Sequence, residues 1–288
     1  MSRPPFLTLP AGARAHRLRT TRGEFAVHEA RPAAAARGTV LLLPGFTGSK
    51  EDFVALLEPI AAAGFRAVAV DGRGQYETPG PRTEAAYRQD ELAKDALAQA
   101  TALTAATEGP VHLLGHSLGG LIARSAVIRD PGAFASLTIM SSGPAAISAS
   151  QQARTKLLID ALTVMDMESV WQAMRELDPP EAADEATPPG VRDFLRRRWL
   201  GTVPEQLIAT GRQLNGEPDR VGELARVRMR IHVLSGEVDY AWPVSLMDEM
   251  AERLSAHRTV IRGAGHSPNA EEPRATAEEL TAFWRSLG

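Results

Sequence analysis

Short, wholly apolar runs alternate along this chain with longer segments whose apolar residues recur at helical spacing. Thr39–Leu43, Arg66–Val70, Val111–Leu114, Leu137–Met140, Ile231–Leu234 and Thr259–Ile261 have no polar face, which predicts strands buried on both sides of a sheet. Between them, Lys50–Ala63 carries Phe53, Leu56, Leu57 and Ile60 on one helical face and stops at Gly64. Thr83–Thr107, ending before Gly109-Pro110, and Leu118–Arg129, Val244–Leu254 and Arg274–Leu287 also read as helices. Ala15–Thr20 and Glu24–Ala30 read as a hairpin around Arg22-Gly23, joined to the first buried strand by the small-residue connector Ala33–Arg37. Strands that alternate with helices imply βαβ units and a mostly parallel α/β sheet flanked by helices.

The alternation lapses between Pro144 and Val227, where no strand-like run occurs. Helical segments are expected at Gln151–Leu162, Ser169–Leu177, Val191–Leu200 and Pro204–Leu214, with a Pro-rich, acidic loop from Asp178 to Gly190 among them. The expected organisation is one core, residues 1–143 and 228–288, interrupted by a helical lid at 144–227. A separate interaction domain is the alternative, and the shortness of the interval argues against it. Arg196-Arg197-Arg198 reads as a solvated helix face.

Composition narrows the function classes. The 288 residues are 44% hydrophobic and 23% charged with a net charge of −3, which gives nucleic acid or an anionic membrane no electrostatic reason to bind. With no cysteine, disulfides, thiolate catalysis and cysteine-based metal sites are excluded. No stretch has the length of a signal-peptide core or of a membrane span, so a soluble, cytoplasmic protein acting on a small molecule is expected. Composition says nothing of oligomeric state.

The chemistry centres on Gly115-His116-Ser117-Leu118-Gly119, which lies between a buried strand and a helix. A G-x-S-x-G in that context makes a nucleophile elbow: the serine sits at a strained turn, and its neighbours are small because strand and helix approach closely. A serine hydroxyl needs a base within hydrogen-bond reach, and the base needs an acid to hold its tautomer. Of the seven histidines, His112 and His232 fall inside strands, His16, His28 and His257 at strand positions or edges, and His116 is turned away by the elbow itself. His266, in the Gly-rich loop Arg262-Gly263-Ala264-Gly265-His266-Ser267-Pro268 after the last strand, is the candidate base. The acid is expected between serine and histidine in chain order. Asp239, past Gly236, fits best, Glu237 is its neighbouring rival, and Asp160 and Asp166 read as solvated. Oxyanion donors are expected from the N–H of Leu118, next to the serine, and of Phe46, after Pro44-Gly45.

Pro44-Gly45-Phe46-Thr47-Gly48, Asp71-Gly72-Arg73-Gly74, the elbow with Gly120, Gly236-Glu237-Val238-Asp239 and Gly263-Ala264-Gly265-His266-Ser267 together resemble the α/β-hydrolase superfamily, in order from about residue 38 to 285. The resemblance implies Ser117 as nucleophile, His266 as base and Asp239 as acid, a serine esterase or thioesterase activity, and no metal or organic cofactor. It leaves open a non-hydrolytic enzyme on the same scaffold (a C–C bond hydrolase, a lyase or a cofactor-free oxygenase) and a ligand-binding protein that has lost the chemistry. Ser117 argues against dehalogenases and epoxide hydrolases of this fold, which use aspartate at the elbow. Two departures stand out. Pro44-Gly45 replaces the frequent His-Gly, and the loop Gln75-Tyr76-Glu77-Thr78-Pro79-Gly80 is expected to set bulk and a carboxylate near the site entrance. Phe46, Tyr76, Trp171, Phe194, Trp199 and Trp242 are candidate pocket liners, most of them expected to be core instead.

Overall fold

A computed structural model describes residues 1–106, 109–177 and 189–287. Eight strands form one sheet in the order β1-β2-β4-β3-β5-β6-β7-β8. They are β1 Ala13–Thr20, β2 Gly23–Ala30, β3 Thr39–Leu43, β4 Arg66–Val70, β5 Val111–His116, β6 Ser136–Met140, β7 Arg230–Gly236 and β8 His257–Ile261. The hairpin β1–β2 is antiparallel and β2 runs antiparallel to β4, while every pairing from β4 to β8 is parallel. The expected α/β architecture is therefore the observed one.

The apolar runs are continuous because both faces of the sheet are covered. On β3, Val40 and Leu42 enter one core and Leu41 and Leu43 the other, as the two-residue pleat requires. Helices α1 (Val54–Ala62) and, from the chain's end, Pro273–Arg285 cover the first face. Helices α2 (Gln89–Ala106) and α3 (Leu118–Arg129), with Val244–Leu254, cover the second.

Between β6 and β7 lie α4 (Ala149–Val164), α5 (Met167–Leu177), α6 (Pro189–Gly201), α7 (Pro204–Gly216) and the short α8 (Val221–Leu224); α9 (Val244–Leu254), α10 (Pro268–Glu271) and α11 (Pro273–Arg285) follow. The insertion has its own apolar cluster, with Ile159, Trp171, Phe194, Trp199 and Leu207 among its buried members. Val221 and Leu224 instead join the core of the sheet. Most of the acidic loop expected from Asp178 onward lies outside the described residues. No helix is long and apolar enough to cross a membrane among the described residues.

Two helices expected as single units are broken by tertiary demands. The segment from Thr83 divides at Arg88, whose ψ of 146° is extended, into a 3-10 turn at Glu84–Tyr87 and α2. Tyr87 forces the break: its ring is fully buried against Gly74 and Gly80, and its hydroxyl donates to the Pro81 carbonyl at 2.7 Å. The segment from Lys50 likewise opens with a 3-10 turn, Lys50–Phe53, before α1.

That 3-10 turn buries its charges. Lys50 Nζ lies 2.8 Å from Glu51, 3.0 Å from Asp71 and 2.9 Å from Glu77. Asp52 accepts from Arg198 Nη1 of α6 at 2.7 Å, and both side chains are buried. Arg198 also donates to the Ser2 carbonyl at 2.7 Å. The arginine run is thus not a uniformly solvated face. Arg196 is exposed and pairs with Glu168, but Arg198, two residues on, lies on the opposite face of the helix, turned to the core, where the buried Asp52 requires a counter-charge.

Removing one member of such a pair leaves the other charge buried and uncompensated. Arg198→Met is expected to cost about 3–5 kcal/mol, read as a lowered denaturation midpoint by circular dichroism. A change under about 1 kcal/mol, the size of an exposed pair, would show that Asp52 and Arg198 do not tie the insertion to the sheet.

Candidate active site

Ser117 stands between β5 and α3 with φ 54° and ψ −120°, a strained conformation for a residue with a side chain. The strain is held by contacts that only glycine permits on either side. A methyl on Gly115 would meet the Gly119 carbonyl at 2.1 Å, one on Gly119 the Leu43 carbonyl at 2.4 Å, and one on Gly120 the Ser142 Cβ at 2.6 Å. The Ser117 N–H donates to the Met140 carbonyl of β6 at 2.9 Å, so the elbow is fastened to the neighbouring strand.

The structure brings the three residues singled out in the sequence together. His266 Nε2 lies 3.1 Å from Ser117 Oγ, and His266 Nδ1 lies 2.8 and 2.9 Å from the two oxygens of Asp239. A carboxylate only accepts, so Nδ1 carries the proton and Nε2 presents its lone pair to the Ser117 hydroxyl. Asp239, whose side chain is fully buried, is aimed by the N–H groups of Ala241 at 2.7 Å and Trp242 at 3.1 Å. The rival, Glu237, faces elsewhere: its carboxylate accepts from Gly263 N–H at 2.9 Å and its N–H donates to the Ala264 carbonyl at 2.8 Å. Glu237 therefore braces the histidine loop, and Gly236 lets that loop come close, since a methyl there would lie 2.2 Å from the Gly265 carbonyl.

His116 contributes more than its place in the elbow indicates. Its Nε2 donates to the backbone carbonyl of His266 at 2.8 Å, and the two rings lie 5.1 Å apart. The sequence signal was available in the pleat: a residue next to the elbow serine on a central strand must point to one face of the sheet, and this face carries the His266 loop. Tyr240 covers the His266 ring from the other side at 4.7 Å.

Leu118 is the first residue of α3, so its N–H is one of those a helix leaves without an internal partner. The Phe46 N–H has no protein acceptor among the described residues. Gly45 packs against the serine, and a methyl on it would stand 3.2 Å from Ser117 Cβ. Of the two expected oxyanion donors, Leu118 thus follows Ser117 directly and Phe46 lines the same cavity as Ser117.

A cavity of about 210 Å³ opens at Ser117 and His266 and is walled mainly by Phe46, Ile147, Leu158, Met174 and Leu214. A second, of about 660 Å³, extends between α4, α5 and α6 and shares Met1, Thr155, Leu158 and Met174 with the first. Among the aromatic candidates, Phe46 lines the first cavity and Trp171 the second, whereas Trp199 and Trp242 are buried with their indole N–H groups donating to the carbonyls of Met167 and Ala145. Tyr76 packs edge-on to Phe194 with Lys50 over its ring, and Glu77 turns to Lys50. The Gln75–Gly80 loop thus does not set bulk and a carboxylate at the entrance: neither Tyr76 nor Glu77 lines the cavity at Ser117, and both are engaged by the buried Lys50, Glu77 while remaining exposed. Among the described residues, no group of three or more His, Asp or Glu side chains is arranged to hold a metal ion.

Burial holds several histidines neutral. It lowers His116 and His232 to about 3 and His28 and His112 to about 4.

Residues 40–279 match the alpha/beta hydrolase family. The chain is 23% identical over 261 residues, 88% of its length and 92% of the relative's, to the "Putative 2-succinyl-6-hydroxy-2,4-cyclohexadiene-1-carboxylate synthase" of Bacillus subtilis. It is 33% identical over 101 residues to the "Putative carbamate hydrolase RutD" of Variovorax paradoxus, a match spanning 35% of this chain and 36% of that one. Its fold superposes on a thermophilic esterase of Thermogutta terrifontis with a TM-score of 0.75 at 21% identity, covering 95% of this chain and 99% of the other.

Two outcomes follow from the packing and burial described. Gly119→Ala drives a methyl into the Leu43 and Pro44 carbonyls and is expected to cost at least about 1–3 kcal/mol, seen in denaturant unfolding; an unchanged midpoint would contradict the close approach. Stability is also expected to fall as pH drops from about 6.5 towards 4, because the unfolded chain protonates His28, His112, His116 and His232 in that window and the folded chain resists doing so until about 4 for His28 and His112 and about 3 for His116 and His232. Burial raises Asp52 and Asp71, which opposes the trend with fewer protons. Each net proton is worth about 1.4 kcal/mol per pH unit, and unfolding free energies measured between pH 7 and 4 test the sign.

Proposed function

The chain belongs to the alpha/beta hydrolase family, and from that premise we propose that it is a serine hydrolase cleaving a carboxylic ester or thioester of a small apolar molecule. The single observation that carries this reading is the hydrogen-bonded array in which His266 Nε2 lies 3.1 Å from Ser117 Oγ with Asp239 on its far nitrogen. His266 takes the Ser117 proton as Oγ attacks the acyl carbonyl, and Asp239 stabilises the resulting imidazolium. The N–H groups of Phe46 and Leu118 receive the oxyanion. Collapse of the tetrahedral intermediate expels the alcohol or thiol, which takes the proton from His266. Water, deprotonated by the same histidine, then releases the acid and restores the serine.

The wall supports a largely apolar substrate: Phe46, Ile147, Leu158, Met174 and Leu214 line the cavity at Ser117, beside the polar Thr47, Gln151 and Thr155 and the Asp52 side chain that Arg198 neutralises. Residues 144–227 act as the lid, since α4, α5 and α7 supply Leu158, Met174 and Leu214 to that wall. The relative named as a synthase gives one specific reason to weigh a lyase on the same scaffold.

A fluorophosphonate probe and a panel of neutral esters and thioesters test the reading. Wild type is expected to be labelled and to turn over esters, while Ser117→Ala is unlabelled and loses at least on the order of 10³-fold in kcat. Equal labelling of Ser117→Ala would overturn the mechanism. Turnover of a non-ester substrate that requires His266 but forms no adduct at Ser117 would favour the lyase.

A further inference from the structure

Gln75 lies outside the Ser117–His266–Asp239 array, and its side chain does not line the cavity at Ser117. It is nonetheless buried, 4% exposed, and both ends of its amide are used. Oε1 accepts from the Gly72 N–H at 2.9 Å, while Nε2 donates to the Gly45 carbonyl at 2.8 Å and leans to the Phe46 carbonyl at 3.4 Å. The partners dictate the amide's orientation, because an N–H can only donate and a carbonyl can only accept. The turn carrying Gln75 is itself fixed, with Gln75 N–H donating to the Gly72 carbonyl at 2.9 Å and Thr78 N–H to the Gln75 carbonyl at 2.8 Å.

The Gly45 carbonyl and the Phe46 N–H belong to one peptide unit. Peptide bonds here are trans, so the two groups point in opposite directions. A donor that holds the Gly45 carbonyl on the Gln75 side therefore aims the Phe46 N–H away from it. The Gly45 carbonyl also accepts from the Gly48 N–H at 3.1 Å, so Gln75 is the shorter of two donors on it and the one that reaches it from another loop. Hydrogen bonding to the carbonyl also polarises the unit and strengthens its N–H as a donor. We infer that Gln75 is a positioning residue that sets the direction and donor strength of the Phe46 N–H. This rests on the serine-hydrolase reading above, and specifically on Phe46 as an oxyanion donor.

The test compares Gln75→Leu, Gln75→Asn and Gln75→Glu with wild type on an ester that wild type turns over. Concentrations are normalised to folded protein by circular dichroism. Losing or misdirecting an oxyanion donor costs about 10²- to 10³-fold, and a donor left in place but freed to turn is expected to cost roughly 10- to 100-fold in kcat with KM within about 2-fold. Gln75→Glu, whose carboxylate repels the Gly45 carbonyl, should be the most impaired. A trifluoromethyl ketone that forms a tetrahedral adduct should lose affinity by the same factor as kcat/KM, a correlation that a merely structural role does not produce. Wild-type kcat in folded Gln75→Leu and Gln75→Glu would overturn the inference, as would a loss carried by KM alone. Should one variant not fold, the others decide. Ester turnover that survives Ser117→Ala would instead defeat the underlying reading, so the two failures are separable.

Discussion

The site depends on one steric constraint: a strand and a helix meet at Ser117 so closely that the serine has to adopt φ 54° to connect them. Gly115 and Gly119 make the approach possible, and the Leu43 and Pro44 carbonyls press against α3 from the next strand. The same contact that strains the serine brings the β3 loop beside it, which is why Gly45 and Phe46 border the nucleophile. Strain of this kind costs on the order of 1–3 kcal/mol and persists only where the surroundings over-determine it. Here β6 adds its own hold through the Met140 carbonyl. The elbow is therefore a consequence of sheet packing rather than of its own sequence alone.

A second layer of organisation lies beneath the β3 loop and is made of charge. Lys50, Glu51, Asp52 and Asp71 are buried there and satisfied by one another, by Glu77 and by Arg198 of the insertion. Such groups are worth little as net stabilisers, because desolvation consumes much of their attraction, but a partner removed is costly. Their effect is to fix geometry. Lys50 N–H donates to Asp71 at 2.8 Å, Asp52 ties the same turn to α6, and Gln75, from the loop that follows Asp71, reaches the Gly45 carbonyl. The β3 loop, the insertion and the loop after β4 are thus held in one network beside Ser117.

The histidine loop is organised by different means. Gly236 and the Glu237 carboxylate draw it to the end of β7, Glu271 accepts from the N–H groups of Gly265 and Ser267, and His116 grips the His266 carbonyl. Each of these contacts acts on backbone, so the imidazole is positioned without a competing bond to either ring nitrogen. Tyr240 and Trp242 close over the ring at 4.7 and 6.3 Å.

Local pattern determined the strands, the alternation, the elbow and the order of Ser117, Asp239 and His266, because each follows from periodicity, from a glycine requirement or from chain order. The break of the helix at Arg88, the inward turn of Arg198, the pairing of Glu77 with Lys50 and the contacts of Gln75 were not legible, since each answers to a partner distant in sequence. Tyr87 breaks a helix because Gly74 and Gly80 leave room for its ring, and Arg198 turns inward because Asp52 is buried opposite it. Glu77 follows Lys50 for the same electrostatic reason. What the chain by itself determined is therefore the backbone scaffold and which residues, Ser117, Asp239 and His266, come together. Which polar side chains are spent on burying charge and aiming peptide groups was decided only when the tertiary structure brought residues such as Gln75 and Gly45 within 2.8 Å, because a buried polar group takes its role from whatever partner packing supplies.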